Sequence, residues 1–206
     1  MQRSCLLSRY SSAASVAIQG TLFLALTALL VAPVNAEPGQ YLGPREIALS
    51  PDQQQLYVVE ADATQVDVVD LAARKVARSI KLPESPTGIA VSPDGKTIYV
   101  TCGVSEGIVC VVDVPSGNVQ KKFAVGHSPY APSITPDGKT LFVCNRFNND
   151  VSVVNVESGE TTKRIPVLRE PVSSAVTPDG KTVLISNLLP IDPSDANNVA
   201  AEVTII

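Results

Sequence analysis

The sequence is poor in residues on which many catalytic and redox sites depend. It has no tryptophan, one histidine and only 4% aromatic residues in a chain of 206. Its four cysteines form neither a Cys-x-x-Cys nor a Cys-x-x-Cys-His motif, so no dithiol redox centre or haem attachment site is expected within this chain. We therefore expect no cofactor here. Residues 37–206 show no helical period of apolar residues, which argues against a helical fold.

Basic residues are also few and scattered. Lysine and arginine number 16 against 20 aspartate and glutamate, giving a net charge of −4. Binding to nucleic acid or to anionic lipid requires a basic patch, and none is found. Neither is an expected partner.

Residues 1–36 have the organisation of a secretory signal. Arg3 and Arg9 precede an apolar run at 21–31, and the segment ends in Val34-Asn35-Ala36. The run is shorter than the roughly 20 residues that a membrane span needs, so cleavage after Ala36 is favoured over an anchor. We expect an exported protein of the periplasm, the cell surface or the medium, with a net charge of −6 and no membrane span once Arg3 and Arg9 are removed.

One short phrase recurs at a nearly constant interval. It begins at Ser50, Ser92, Thr135 and Thr177, 42 or 43 residues apart, and reads Ser/Thr-Pro-Asp-Gly except that Gln53 replaces the first glycine. Proline in second place and glycine in fourth favour a type I turn. Short β-branched runs on both sides are typical of strands. Each repeat is predicted to form four strands, which in the second copy are residues 88–92, 97–102, 108–114 and 118–125.

A four-stranded antiparallel unit of this length is typical of a β-propeller blade. Pairs of valines place apolar side chains on both faces of the third strand, as expected where neighbouring sheets cover both sides; a β-sandwich would alternate more strictly. The predicted fold is all-β, a propeller with blades at 43–84, 85–127, 128–169 and 170–206. Three blades are complete, and the fourth lacks its outer strand, so the blades form an open arc.

The strands that follow the turns resemble the YVTN-repeat family of β-propellers. The matching residues are Tyr99-Val-Thr-Cys102, Phe142-Val-Cys-Asn145 and Ile185-Ser-Asn187. The resemblance implies a bacterial, exported protein with seven blades when complete, and some longer relatives look like fusions to a c-type cytochrome region. Such a motif specifies fold far more than function.

Against that family pattern, the chain stops within the fourth blade. We interpret this as a truncated form. The alternative is a closed four-bladed ring in which residues 37–41 supply the missing strand, but Pro38 and Gly39 make a poor strand. An open arc would expose one apolar face at each end, to be covered by the remaining blades or by another chain.

Strand direction sorts the loops onto two ends of the propeller. The regular Pro-Asp-Gly turns share one end, which we call the turn end. The irregular loops after the second and fourth strands share the other, which we call the loop end. The candidate binding residues fall on the loop end, together with a fourth-blade loop carrying about ten extra residues. They are Arg45, His127, Arg146 and Arg169.

Each of these candidates also has a plain structural interpretation. Arg146 and Arg169 can each hold a carboxylate or phosphate with two hydrogen bonds, but single loop arginines more often make local salt bridges, here for example with Asp150 or Glu170. A metal site needs three or four converging ligands, so His127 is expected to be a loop residue, and no metal is predicted. Asp192, Asp195 and Asn198 match no calcium loop.

The cysteines of the mature chain differ in their expected roles. Cys102 and Cys110 flank one hairpin and are a possible disulfide. Cys144 aligns with Thr101 and is therefore expected to face the opposite side of its sheet, as a small buried residue. No arrangement of nucleophile and histidine is recognisable by spacing, so no catalytic residue is predicted.

These observations favour a non-catalytic binding or scaffold module that acts through its loop end on a protein or small ligand. Two alternatives stay open. One is a piece of a propeller-containing oxidoreductase or cytochrome c-linked electron-transfer protein, and the other is a piece of a lactonase-like enzyme. In both, the site would be completed by blades beyond this chain, so the chain alone is not expected to be active.

Overall fold

The computed structural model describes residues 41–103, 105–190 and 202–206. Every regular element in these ranges is a β-strand, and none of them contains a helix that is long and apolar enough to cross a membrane. The predicted secretory signal lies outside the described residues, as do Asp192, Asp195 and Asn198 of the fourth-blade insertion.

The strands form four antiparallel sheets in chain order, each a simple meander. Sheet one contains β1 (Pro44–Leu49), β2 (Gln55–Glu60), β3 (Gln65–Asp70) and β4 (Lys75–Lys81). Sheet two contains β5 (Pro86–Val91), β6 (Thr97–Cys102), β7 (Ile108–Asp113) and β8 (Asn118–Ala124). Sheet three contains β9 (Pro129–Ile134), β10 (Thr140–Asn145), β11 (Asp150–Asn155) and β12 (Thr161–Pro166). Sheet four contains β13 (Pro171–Val176), β14 (Val183–Asn187) and β15 (Val203–Ile205).

These sheets are the blades of a β-propeller, as predicted. Three have four strands and the fourth has three. In the second blade the first strand begins at Pro86, two residues earlier than predicted, because Pro86 pairs with Cys102 across a bulge that ends at Gly88. Within the described residues no strand pairs with the outer edge of β15, and Tyr41 is not in a strand.

The recurring turn is held by its own side chains. Asp94 Oδ1 accepts hydrogen bonds from Ser92 Oγ at 2.6 Å and from the Lys96 backbone N–H at 3.0 Å. Gly95 has a φ of +70°, the left-handed region that glycine enters without a Cβ penalty. The same bonds recur at Asp52, Asp137 and Asp179. Each turn therefore fixes the register of the hairpin that follows it.

The hydrophobic core lies between the blades. Val100 and Val112, both fully buried, face blade 1, whereas Tyr99 and Val111 on the alternate positions face blade 3. A third cluster joins blades 3 and 4 and contains Cys144 and Ile185. Burial on both faces of a central blade is the pattern that the paired valines predicted.

The two end blades each keep one apolar face in solvent. On blade 1, Ile47 and Leu49 are 63% and 53% exposed. On blade 4, Val203 and Ile205 are 59% and 68% exposed. Isolated exposed apolar residues are ordinary, but neighbouring ones on one sheet face mark a surface that can be covered. The predicted open faces are thus present.

The first strands of successive blades lie side by side and form the inner wall of the arc. Ser174 Oγ in blade 4 donates to the Ala131 carbonyl of blade 3 at 2.6 Å, and Thr87 Oγ1 donates to the Pro129 carbonyl. These contacts fix the inner strands against each other. They thereby bring the loop-end residues of several blades to one place.

Candidate functional site

A hydrogen bond at the loop end joins blade 1 to blade 3. Arg45 Nη1 donates to Tyr130 Oη at 2.8 Å, although 85 residues separate them. Arg45 is the second residue of β1 and is exposed, and Tyr130 is the second residue of β9. A bulge in the β1–β2 pairing falls between Pro44 and Glu46, at Arg45. This bond spans the width of blade 2.

Arg146 lies over the ring of the same tyrosine. It is the first residue after β10, and its guanidinium carbon lies 5.9 Å from the Tyr130 ring centroid and 5.2 Å from that of Phe147. Its Nε and Nη2 both donate to Glu170 Oε2, at 2.9 and 2.7 Å. Hydrogen bonding to that carboxylate raises the pKa of Arg146 further above its ordinary value. The cation is therefore fixed between two aromatic rings and one carboxylate.

His127 joins this group through Phe147. Their ring centroids are 5.1 Å apart in an edge-on arrangement, and the His127 backbone N–H donates to Asn148 Oδ1 at 2.6 Å. Phe147 is 53% exposed. His127 and Asn148 also line a separate cleft of about 480 Å³ between the loops of blades 2 and 3, together with Arg164.

Arg169 stands apart from the other three candidates. It is exposed on the loop before blade 4, directly preceding Glu170, and its carbonyl accepts a hydrogen bond from the Leu189 N–H at 3.3 Å. Of the four predicted binding residues, the structure thus brings together Arg45, Arg146 and His127 around Tyr130 and Phe147, which we call the loop-end cluster.

An axial cleft of about 370 Å³ lies beside this cluster. Seven residues line it: Arg45, Glu46, Thr87, Tyr130, Ala131, Val172 and Ser173. Glu46 Oε2 accepts a hydrogen bond from the Ile89 N–H at 3.0 Å, and burial raises the pKa of the Glu46 carboxyl. The cleft combines a guanidinium, a phenol, a hydroxyl and a partly buried carboxyl.

Sequence reasoning passed over Tyr130 and Glu46, although the repeat contains a signal for them. Arg45, Thr87, Tyr130 and Val172 occupy one repeat position, being 42, 43 and 42 residues apart. Glu46, Ala131 and Ser173 belong to the next position. Because the first strand of each blade lies on the inner wall, one repeat position forms a ring around the axis. A repeat position on this ring whose residue type differs from blade to blade is therefore a candidate binding position.

The described residues contain no group of three or more histidine, cysteine, aspartate or glutamate side chains placed to hold a metal ion. Cys102, Cys110 and Cys144 are all buried and unbonded. Cys102 lies in the cluster shared with blade 1 and Cys144 in the one shared with blade 4. The two therefore face opposite ways, as predicted.

Comparisons with known proteins agree with the architecture. A family model described as "Lactonase, 7-bladed beta-propeller" matches residues 24–157, more than half of the chain. A chain of Kuenenia stuttgartiensis hydrazine synthase superposes with a TM-score of 0.71 and 27% identity, over 84% of this chain and 49% of that one. The present chain thus spans about half the length of that structure.

Two curated relatives match shorter stretches. Antigen Lp49 of Leptospira interrogans is 38% identical over 58 residues, which are 28% of this chain and 13% of that protein. The uncharacterized protein YncE of Salmonella typhimurium is 34% identical over 55 residues, which are 27% of this chain and 16% of that protein. Each match covers about a quarter of this chain and carries no assignment of activity.

Proposed function

The chain belongs to the Lactonase, 7-bladed beta-propeller family, and we propose that it is part of an exported, non-catalytic binding propeller. Its loop-end cluster and axial cleft bind an anionic ligand. The ligand class is a carboxylate or phosphate group, on a small molecule or on an acidic protein segment. The finer assignment to YVTN-repeat propellers stays a prediction from the sequence.

The observation that carries this proposal is the meeting of two guanidinium groups at Tyr130. Arg45 donates to its hydroxyl and Arg146 lies over its ring. Arg45 uses one of its five N–H donors in that bond, so the rest of its fork can bind two oxygens of an anion. The adjacent phenol and the Ser173 hydroxyl add neutral donors at the same cleft.

Isothermal titration calorimetry with citrate and with inorganic phosphate tests the proposal. A hydrogen bond to a charged group contributes about 1.5–3 kcal/mol, so Arg45→Ala is expected to weaken binding by about tenfold or more. Lys139→Ala removes the same charge from the turn end and serves as the matched control. Equal affinity in wild type and Arg45→Ala, or an equal loss in Lys139→Ala, would contradict the proposed site.

One observation favours a second candidate, lactone hydrolysis. Glu46 is a partly buried carboxyl with a raised pKa in the axial cleft, and such a group can act as a general acid or base. Hydrolysis of glucono-δ-lactone that is lost in Glu46→Gln would support this candidate. Hydrolysis that is unchanged by Glu46→Gln would exclude Glu46 from that role.

We further propose that sheets of the same repeat cover the free faces of blades 1 and 4 in the working protein. Blades 2 and 3 bury the equivalent faces against their neighbours through the three clusters described above. The family is seven-bladed, and this chain matches about half of a larger propeller-containing chain. Both facts fit a ring that other blades complete.

A further inference from the structure

One pair of positions in the repeat places two side chains on neighbouring strands of every blade. The first is the last residue of the second strand. The second lies on the third strand, where it pairs with the residue that stands two places before the first position. The four pairs are Glu60 with Asp67, Cys102 with Cys110, Asn145 with Ser152, and Asn187 with Thr204.

In blades 3 and 4 this pair is hydrogen-bonded. Asn145 Nδ2 donates to Ser152 Oγ at 2.8 Å, and Asn187 Nδ2 donates to Thr204 Oγ1 at 3.0 Å. In blade 2 the same positions bring Cys102 Sγ to 3.9 Å from Cys110 Sγ. Both cysteines have no exposed surface. The geometry that ties two strands by a hydrogen bond elsewhere thus places two thiols together here.

The preceding loop differs between blades 2 and 3. In blade 3, Asn145 Oδ1 accepts a hydrogen bond from the Gly126 N–H at 2.8 Å. The residue 43 places before Gly126 is Pro83, which has no N–H. Blade 4 keeps an asparagine although its Asn187 Oδ1 is buried and has no hydrogen-bond partner among the described residues, so this donor does not by itself determine the residue. Two thiols have little need of such a donor.

We propose that Cys102 and Cys110 form a disulfide in the exported protein and that this bond joins the second and third strands of blade 2. Each cysteine loses one hydrogen, and the two electrons and two protons reduce a disulfide oxidant such as oxidised glutathione to two thiols. Exported proteins meet such oxidants.

The bond forms by two successive thiol–disulfide exchanges. One of the two cysteines attacks the oxidant as a thiolate, forming a mixed disulfide and releasing one thiol. The other cysteine then attacks the sulfur of the first, loses its proton and releases the second thiol.

Burial limits when this can happen. Both cysteines belong to the core between blades 1 and 2, so the oxidant reaches them only before that core closes. The bond is accordingly a product of folding, and folded reduced protein oxidises slowly. Cys144 provides an internal comparison, because its sulfur lies near the Ser173 carbonyl of blade 4 and burial raises its pKa to about 12.

Oxidative refolding followed by mass spectrometry tests the proposal. The full chain is refolded in glutathione redox buffer, alkylated in denaturant and digested. Residues 97–121 form one tryptic peptide that contains both cysteines. We expect this peptide to be unalkylated and two hydrogen atoms lighter, whereas Cys5 and Cys144 are alkylated. Cleavage after Glu106 then yields two peptides joined by the bond.

Two further arms make the result decisive. Protein folded with reductant and then exposed to the same buffer is expected to oxidise at least tenfold more slowly, and Cys144→Ser is expected to leave the linked peptide unchanged. Alkylation of both Cys102 and Cys110 after oxidative refolding would overturn the proposal. A bond from either of them to Cys144 or Cys5 would overturn it equally.

Discussion

Arg45 and Tyr130 occupy the same position of the repeat in blades 1 and 3, and a hydrogen bond of 2.8 Å joins their side chains. Two residues 85 places apart in the chain meet because that position lies on the inner wall in every blade. Arg146 reaches the same ring from a loop of blade 3. The loop-end cluster therefore depends on the arc of blades as a whole and not on one loop.

Glu170 is expected to oppose anion binding at this cluster, because its carboxylate already occupies two donors of Arg146. Glu170→Gln removes the competing charge, and citrate is expected to bind about tenfold more tightly, equivalent to about 1.4 kcal/mol. The ion pair is 28% and 22% exposed at its two side chains, so stability is expected to change by less than about 1 kcal/mol. Calorimetry and urea unfolding of the same variant measure both. Weaker binding in Glu170→Gln would contradict the assignment.

The first of the four turns carries a non-glycine residue in a left-handed conformation. Gln53 has a φ of 58° where Gly95, Gly138 and Gly180 stand in the other copies. A side chain in that region costs about 1–2 kcal/mol, partly offset by the greater chain entropy that glycine loses on folding. Gln53→Gly is expected to stabilise by about 0.5–1 kcal/mol in urea unfolding, and the reciprocal Gly95→Gln to destabilise. Stabilisation by both changes would show that turn conformation is not the cause.

Asn145 ties three segments at the loop end of blade 3. It is fully buried, accepts from Gly126 and donates to Asp150 and Ser152. Asn145→Ala removes the partner of the buried Gly126 N–H and of the buried Ser152 hydroxyl and is expected to cost about 2–3 kcal/mol. The exposed Asn118→Ala is the control, with an expected change within about 0.5 kcal/mol. Equal effects in urea unfolding would refute the network's role.

Acid is expected to weaken the fold through the turns. Hydrogen bonds from Ser92 and from the Lys96 backbone lower the pKa of Asp94, and Asp52, Asp137 and Asp179 are lowered in the same way. A carboxyl whose pKa is lower in the folded state stabilises the fold at pH values above its unfolded pKa, which is near 3.8. That stability is lost as the pH falls through the folded-state pKa. Urea midpoints measured from pH 5 downwards are expected to fall.

Glu46 acts in the opposite direction. Its pKa is raised by burial, so protonation at lower pH favours the folded state and offsets part of the loss. In Glu46→Gln this offset is absent, and the decline on acidification is expected to be steeper than in wild type. A shallower decline in Glu46→Gln would reverse the sign assigned to this carboxyl.

The exposed face of blade 1 is expected to drive self-association of the isolated chain. Ile47 and Leu49 lie on that face. Sedimentation velocity is expected to show concentration-dependent association that Ile47→Ser with Leu49→Ser reduces. Leu71→Ser, at a residue that is 38% exposed after β3, is the control. A wild-type chain that sediments as a compact monomer at all concentrations would argue against uncovered faces.

The repeat made the architecture predictable, and its limits explain what was missed. The 42-residue spacing of the Pro-Asp-Gly turns located four blades, the two ends and the opposed directions of Cys102 and Cys144. Functional residues, however, were expected only in the irregular loops. Tyr130 and Glu46 were overlooked because they lie inside strands, where side chains ordinarily serve packing. Arg169 and Arg146 looked equivalent in the sequence, and only the three-dimensional contacts placed Arg146 over an aromatic ring.

The salt-bridge partner of Arg146 was only partly predictable from the sequence. Charge and proximity offered Asp150 or Glu170, and the structure selects Glu170 at 2.7 Å, while Asp150 lies 3.6 Å from Arg164. That choice depends on how blade 4 packs against blade 3. Such packing is a property of the assembled blades that one repeat cannot specify.

Backbone amide NMR shifts recorded during a citrate titration test the central claim, that the loop end is a ligand-binding surface. We expect shifts concentrated at Arg45, Tyr130 and Arg146, with the Pro-Asp-Gly turns at the opposite end unchanged. In Arg45→Ala, the shift at Tyr130 is expected to be lost. Shifts confined to the turn end, or no shifts at the loop-end cluster at saturating citrate, would show that the loop end does not bind this ligand.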